Sequence, residues 1–187
     1  MKVATGHSHK KMWCVAAAVV VSIAIVSCGR RLPTPESGTT GDREKLEKIN
    51  AMYFKYKEGF PNTPDISVDE LLLLQKEEDV VLVDVREPEE QGVSMMPGAI
   101  TVAEFERDPE GYRGKTIVAY CTIGSRSGYF TRELRERGFR AFNLRGSILS
   151  WAHAGKEFVD RDGRATKRAH VYSGEWNLLP KGYEAVW

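Results

Sequence analysis

Little in this 187-residue chain points to metal, nucleotide or disulfide chemistry. Its three cysteines, Cys14, Cys28 and Cys121, are too few for a disulfide framework. Zinc-ligand spacings, a phosphate-binding Walker loop and a dinucleotide fingerprint are all missing. The net charge of +1 gives no reason to invoke nucleic acid or acidic partners. Two of the four histidines, His7 and His9, fall in the N-terminal leader, where a metal site has no support. No internal repeat is visible. The expectation is therefore no metal and no cofactor. With 42% hydrophobic residues, the chain is long enough for one globular domain plus extensions.

The first 27 residues have the parts of a secretory signal. Lys2, Lys10 and Lys11 supply the positive region and Met12 to Val26 the apolar one. The end of that run, Ile25-Val26-Ser27-Cys28, resembles the lipobox of bacterial lipoproteins. The resemblance implies cleavage before Cys28, lipidation of Cys28, and a protein anchored to a membrane of the bacterial cell envelope, facing the periplasm or exterior. An uncleaved anchor stays open, because the apolar run is only slightly shorter than a span. In the cleaved reading Cys14 leaves with the signal and Cys28 carries lipid. Cys121 is then the one free thiol, and its chemistry is single-thiol chemistry.

After the leader, residues 28–64 read as a tether and an amphipathic helix. Gly29 to Gly41 is rich in Pro, Gly, Ser and Thr, as flexible linkers are. Asp42 to Glu58 carries Leu46, Ile49, Tyr53 and Tyr56 at helical spacing, with Gly59 as a stop. Packing on the domain and binding a partner are both open to this helix.

A domain is expected over residues 65–160. It opens on a capping box, Ser67-Val68-Asp69-Glu70, leading into a helix with Leu71 to Leu74 apolar on every side and so well buried. Val80 to Val83 is a short β-branched run suited to a central parallel strand, ending in Asp84-Val85-Arg86. Ala141 to Leu144 reads as a strand and Ser147 to Ala154 as a helix, with Trp151 facing the core. His153 lies about 200° round that helix from Trp151, which predicts an exposed ring without a partner. Arg161 to Arg168 reads as a basic, solvated turn. The closing extension, residues 161–187, ends in a stretch too aromatic for a disordered tail and is expected to fold back over the domain.

The stretch Tyr120 to Ser127, YCTIGSRS, carries the chemistry. Thr116 to Tyr120 is an apolar strand, and a helical pattern resumes at Ser127. A cysteine between a strand's carboxyl end and a helix sits where open α/β sheets bind ligands. Gly124 permits a positive φ, so the loop can aim several N–H groups at one point. The helix amino end and Arg126 add positive charge, and a Cys121 thiolate is stabilised by all three. A buried structural cysteine is the plainer alternative.

These residues resemble the active-site loop C-x-x-G-x-R-S of the rhodanese-like sulfurtransferases. Leu82 to Glu90 (LVDVREPEE), Met96 to Ile100 (MPGAI) and Leu144 to Gly155 (LRGSILSWAHAG) match other parts of that family in order. The resemblance implies an α/β fold: a rhodanese-like three-layer domain, with a mainly parallel sheet and helices on both faces. It implies Cys121 as catalytic nucleophile, with Thr122, Ile123, Gly124, Ser125, Arg126 and Ser127 binding substrate. Asp84 and Arg86 would brace the loops around the site. The implied reaction moves sulfane sulfur from a small anionic donor such as thiosulfate to a cyanide or thiol acceptor, through a Cys121 persulfide. Where the family often has histidine before the Pro-Gly turn, this chain has Met95, which removes any imidazole role there. Fold-sharing phosphatases place five residues between cysteine and arginine, and this loop has four, which suits sulfur better than phosphate. A non-catalytic or sulfide-sensing module at the membrane is the other function the same fold supports.

Overall fold

The structure is a computed structural model and describes residues 40–187. The expected signal segment, the lipidation site Cys28 and most of the tether lie outside the described residues. Among the described residues, no helix is long and apolar enough to cross a membrane.

Five short strands form the central sheet: β1 (Asp65–Ile66), β2 (Val80–Asp84), β3 (Ile100–Thr101), β4 (Thr116–Tyr120) and β5 (Arg140–Leu144). Their order is β1-β5-β4-β2-β3, and every pairing is parallel. Among the described residues, six α-helices accompany them: α1 (Thr40–Lys57), α2 (Val68–Glu77), α3 (Pro88–Val93), α4 (Val102–Phe105), α5 (Ser125–Glu136) and α6 (Ser147–His153). Successive strand residues point to opposite faces, and the two cores follow that alternation. Leu82, Val118, Tyr120 and Leu144 face one core, with Ile49 of α1, Leu71 of α2 and Ile148 of α6. Val83, Ile117 and Ala141 face the other, with Phe105 of α4 and Leu134 of α5. The result is a three-layer α/β domain with helices on both faces of a parallel sheet.

The register places the site. Val80 to Asp84 runs beside Thr116 to Tyr120 residue for residue, so the carboxyl ends of β2 and β4 coincide. Cys121 follows β4, the middle strand, at the carboxyl ends of the strands, where such folds gather ligands.

Several local expectations need correction. Helix α2 does start at the Ser67 capping box, with Ser67 and Glu70 side chains bonded reciprocally to each other's backbone amides. It lies on the surface, however, so only its inner stripe is covered: Leu71 is buried while Leu73 is 58% exposed. The segments that flank residues 65–160 pack on the domain. Helix α1 packs on α5 and α6, burying Ile49 and Tyr53. Beyond residue 160 come β7 (Ala165–Thr166), β8 (Arg168–His170) and β9 (Glu184–Val186), after β6 (Phe158–Val159). Strand β7 pairs with β6, β8 pairs with β9, and Leu178 and Leu179 enter the larger core. This segment also covers His153, which is half-buried with Nε2 2.8 Å from the Leu178 carbonyl. Burial holds that imidazole below its ordinary value.

Candidate active site

Helix α5 begins two residues earlier than its hydrophobic pattern suggests, because Gly124 sits at φ +103° and acts as its N-cap. Arg126 therefore belongs to the helix's first turn. Only glycine suits position 124 on two grounds: the positive φ, and a Cβ there would lie 2.8 Å from the Tyr53 ring. Tyr53 comes from α1, so that helix props the loop directly.

Three of the loop's carbonyls, those of Cys121, Thr122 and Gly124, are engaged from outside. Ile148 and Leu149, in the first turn of α6, donate their amides to the Cys121 and Thr122 carbonyls at 3.3 and 3.4 Å. Asn143 Nδ2 donates to the Gly124 carbonyl at 2.9 Å, and its own Oδ1 accepts from the Ser127 hydroxyl at 2.7 Å. Ser147 Oγ accepts the Cys121 amide at 3.0 Å and donates to the Leu144 carbonyl. With its carbonyls turned outward, the loop can direct amides inward, and the Gly124 amide meets Cys121 Sγ at 3.1 Å.

Cys121 is 1% exposed. Burial pushes its thiol up, yet the Ser127 hydroxyl and amide, the Arg126 charge and the Gly124 amide outweigh it, leaving the thiol below its ordinary value. The Ser127 hydroxyl has one proton, which it can give either to sulfur or to Asn143 Oδ1.

Arg126 is not a free cation. Its Nη1 and Nη2 donate to Glu90 Oε2 and Oε1 at 2.5 and 2.8 Å, a bidentate pair, and Nη2 also reaches Thr122 Oγ1 at 3.2 Å. Glu90 sits in the first turn of α3, where its side chain also accepts the Glu87 amide at 3.0 Å. The Thr122 hydroxyl donates to Glu90 Oε1 at 3.1 Å. Although burial raises the Glu90 carboxyl, Arg126 and the Glu87 amide hold it below the usual carboxylate range. Glu90 is the largest omission from the sequence reading. Only its position as third helical residue after a cap hints at a side chain turned back toward the loop.

A measurement follows from this pair. Alkylation of Cys121 by iodoacetamide is expected to show a midpoint below the ordinary thiol value of about 8.5. Glu90→Gln removes a negative charge beside Arg126, so the midpoint should fall further. A midpoint that rises, or stays, in the variant would mean that Glu90 does not restrain the field on the thiol.

Asp84 and Arg86 form a second buried network behind the loop. Asp84 Oδ1 accepts the Arg86 amide and Nε at 3.0 and 2.9 Å, and Oδ2 accepts Nη2 at 2.7 Å and the Tyr120 hydroxyl at 2.8 Å. Arg86 Nη2 also donates to the Ser94 carbonyl at 2.6 Å, and the Ser94 hydroxyl donates to the Arg168 carbonyl. One ion pair thus ties β2, the residue before Cys121, the end of α3 and β8.

Above Cys121 opens a cleft of about 270 Å³. Of the seven residues expected from Cys121 to Ser127, it is lined by Cys121, Thr122, Ile123, Ser125 and Arg126. Gly124 and Ser127 lie buried behind them. Tyr56 of α1, Tyr172 and Trp176 complete the lining. The sequence suggests Tyr56 only as a packing residue and the other two only as part of a segment folded back over the domain. Among the described residues, no group of three histidines, cysteines or carboxylates could hold a metal ion.

The sequence matches the rhodanese-like domain family over residues 67–154. A sulfurtransferase of Allochromatium vinosum is 37% identical over 90 residues, which are 46% of this chain and 84% of that protein. A tRNA sulfurtransferase of Desulfurococcus amylolyticus is 41% identical over 75 residues, 39% of this chain but only 15% of that much longer relative. In fold, the chain is similar to a thiosulfate sulfurtransferase from Pseudomonas aeruginosa, with a TM-score of 0.50, 22% identity and coverage of 62% of this chain and 23% of that one. The chain belongs to the rhodanese-like family. Its relatives support sulfur transfer as the general activity.

Proposed function

We propose that the protein moves sulfane sulfur from a small anionic donor, such as thiosulfate, to a nucleophilic acceptor through a persulfide on Cys121. The Cys121 thiolate attacks the donor's outer sulfur, a new S–S bond forms, and the donor's own S–S bond breaks to release sulfite. The terminal sulfur of the persulfide then carries the negative charge inside the loop, next to the inward amides and Arg126. Cyanide or a thiolate attacks that sulfur in the second half, and the electron pair of the broken bond returns to Cys121. Each step breaks one S–S bond as a new bond to the transferred sulfur forms (S–S to Cys121 or a thiol, C–S to cyanide), so neither needs a metal or an external oxidant, and the kinetics are ping-pong.

The observation that carries this reading is the Gly124 amide on Cys121 Sγ, at 3.1 Å, in a loop whose Cys121, Thr122 and Gly124 carbonyls are held from outside. Such a nest is preorganised for a small anion on sulfur. Four residues separate Cys121 from Arg126, which leaves less room than a phosphoryl group needs.

The leader reading adds a location: a lipid on Cys28 would hold this domain on a membrane of the cell envelope, with no role for nucleic acid. Intact-mass spectrometry of the protein from its own cell tests both parts. Added thiosulfate should increase the mass by one sulfur on Cys121, and cyanide should remove it. The chain should begin at Cys28 and carry lipid. No sulfur adduct with any donor would overturn the transferase reading, and chains still starting at Met1 would leave the uncleaved anchor.

A further inference from the structure

We propose that Tyr56, Tyr172 and Trp176 select the sulfur donor, and that the preferred donor is an organic, singly charged sulfane-sulfur compound bearing a flat apolar group. The proposal rests on the sulfurtransferase reading and narrows its substrate.

Three features of the mouth point this way. The first is charge. Arg126 offers the cation that an anionic donor would seek, but Glu90 already holds it in a bidentate pair at 2.5 and 2.8 Å. A dianion such as thiosulfate would meet a pair of nearly zero net charge and a carboxylate close behind it. A monoanion suffers less from that carboxylate.

The second is size and surface. A cleft of about 270 Å³ corresponds to roughly nine water volumes at ~30 Å³ each, well beyond an inorganic ion of five non-hydrogen atoms. One side of it is an aromatic wall. The Tyr172 and Trp176 ring centroids lie 5.6 Å apart, the Tyr56 and Trp176 centroids 6.0 Å apart, and the Arg126 guanidinium lies 5.8 Å from the Tyr172 ring centroid. These rings touch one another rather than opening round a central point, so they present a face to a flat group and not a cage to a cation.

The third is that the wall is held in place at a cost. Tyr172 has φ +73°, in the left-handed region that a bulky residue avoids. The strain persists because the turn is tied on both sides. The Ser173 amide donates to the Val171 carbonyl at 2.9 Å, and the Tyr172 amide donates to His170 Nδ1 at 3.1 Å. The Val171 amide reaches the Val186 carbonyl at 2.8 Å. A ring that is 62% exposed gains little from this conformation for folding, so its placement serves the mouth. All three aromatics lie outside the residues 67–154 that match the family. The reaction centre comes from the shared domain, while its selector comes from the two flanking segments.

Aryl thiosulfonates supply the test, because R–SO₂–S⁻ carries one charge and R can be varied. Cys121 takes the outer sulfur, the S–S bond to the sulfonyl group breaks, and the sulfinate R–SO₂⁻ leaves with the electron pair. With cyanide as acceptor, kcat/KM is measured on the full chain for thiosulfate, methanethiosulfonate and benzenethiosulfonate. Benzenethiosulfonate is expected to exceed each of the others by at least tenfold. Trp176→Ala should reduce the phenyl-over-methyl preference to less than threefold. Tyr172→Gly should act in the same direction, and it relieves the strained φ, so the variant will fold. Equal rates for phenyl and methyl donors in the wild type would overturn the proposal and leave sulfur transfer standing. So would variants that slow all three donors by one common factor. If no donor places sulfur on Cys121, the transferase reading itself fails.

Discussion

A Cys121→Ser protein is expected to fold as the wild type does and to lose sulfur transfer by about a thousandfold or more. The substitution keeps shape and removes the chemistry. Serine can still accept the Gly124 amide that now meets Sγ, and the surrounding groups, Ile123 and Ser127 among them, are unchanged. Its hydroxyl does not ionise near neutral pH, however, and an alcohol oxygen cannot hold a transferable sulfur. Thiosulfate should still bind, because the loop amides and Arg126 remain. Turnover with thiosulfate and cyanide, set beside donor binding by calorimetry, checks both halves. Activity within tenfold of the wild type would remove Cys121 from the mechanism.

The second large effect concerns stability. Arg86→Ala is expected to cost about 3–5 kcal/mol, the range for breaking a buried ion pair from one side. Both side chains of the Asp84–Arg86 pair have no solvent exposure. Without the guanidinium, Asp84 keeps only the Tyr120 hydroxyl and the residue 86 amide, and the Ser94 carbonyl loses its donor. For a domain of this size each kcal/mol moves Tm by roughly 2–4 °C, so a fall of about 10 °C should be seen in a thermal melt. The cost arises because burying one unpaired charge is worse than burying a matched two. A melt within about 2 °C of the wild type would show that the pair does not hold β2 to β4.

The loop was legible in the sequence because its determinants are contiguous. A strand end, a cysteine, a glycine able to take positive φ and an arginine all fall within Tyr120 to Arg126. The three central strands were legible for a similar reason, since each shows its own short apolar run, whereas β1 and β3, two residues each, show none. What escaped depended on contacts made across the fold. Glu90 sits 36 positions before Arg126, and nothing local says that the first turns of α3 and α5 meet. Tyr172 and Trp176 could be read only as part of an aromatic segment folding back over the domain, with no residue partner. His153 was misplaced by treating α6 as a lone cylinder, when residues 178 and 179 lie across it. The start of α5 was set two residues late because hydrophobic spacing does not register a glycine N-cap.

The contact between Tyr53 and Gly124 bears on modularity. A ring from α1 rests where any side chain on residue 124 would have to go. The same tyrosine hydroxyl donates to Asp65 Oδ2 at 2.6 Å and lies 3.3 Å from Asn143 Nδ2, which in turn holds the Gly124 carbonyl. A segment that the family match does not include therefore acts as a structural wedge for the family's own reaction loop. The inheritable unit here is larger than the recognisable one. Transplanting residues 67–154 into another protein would carry Cys121 and its loop without the part that keeps that loop in shape, and a host helix would have to supply a substitute ring.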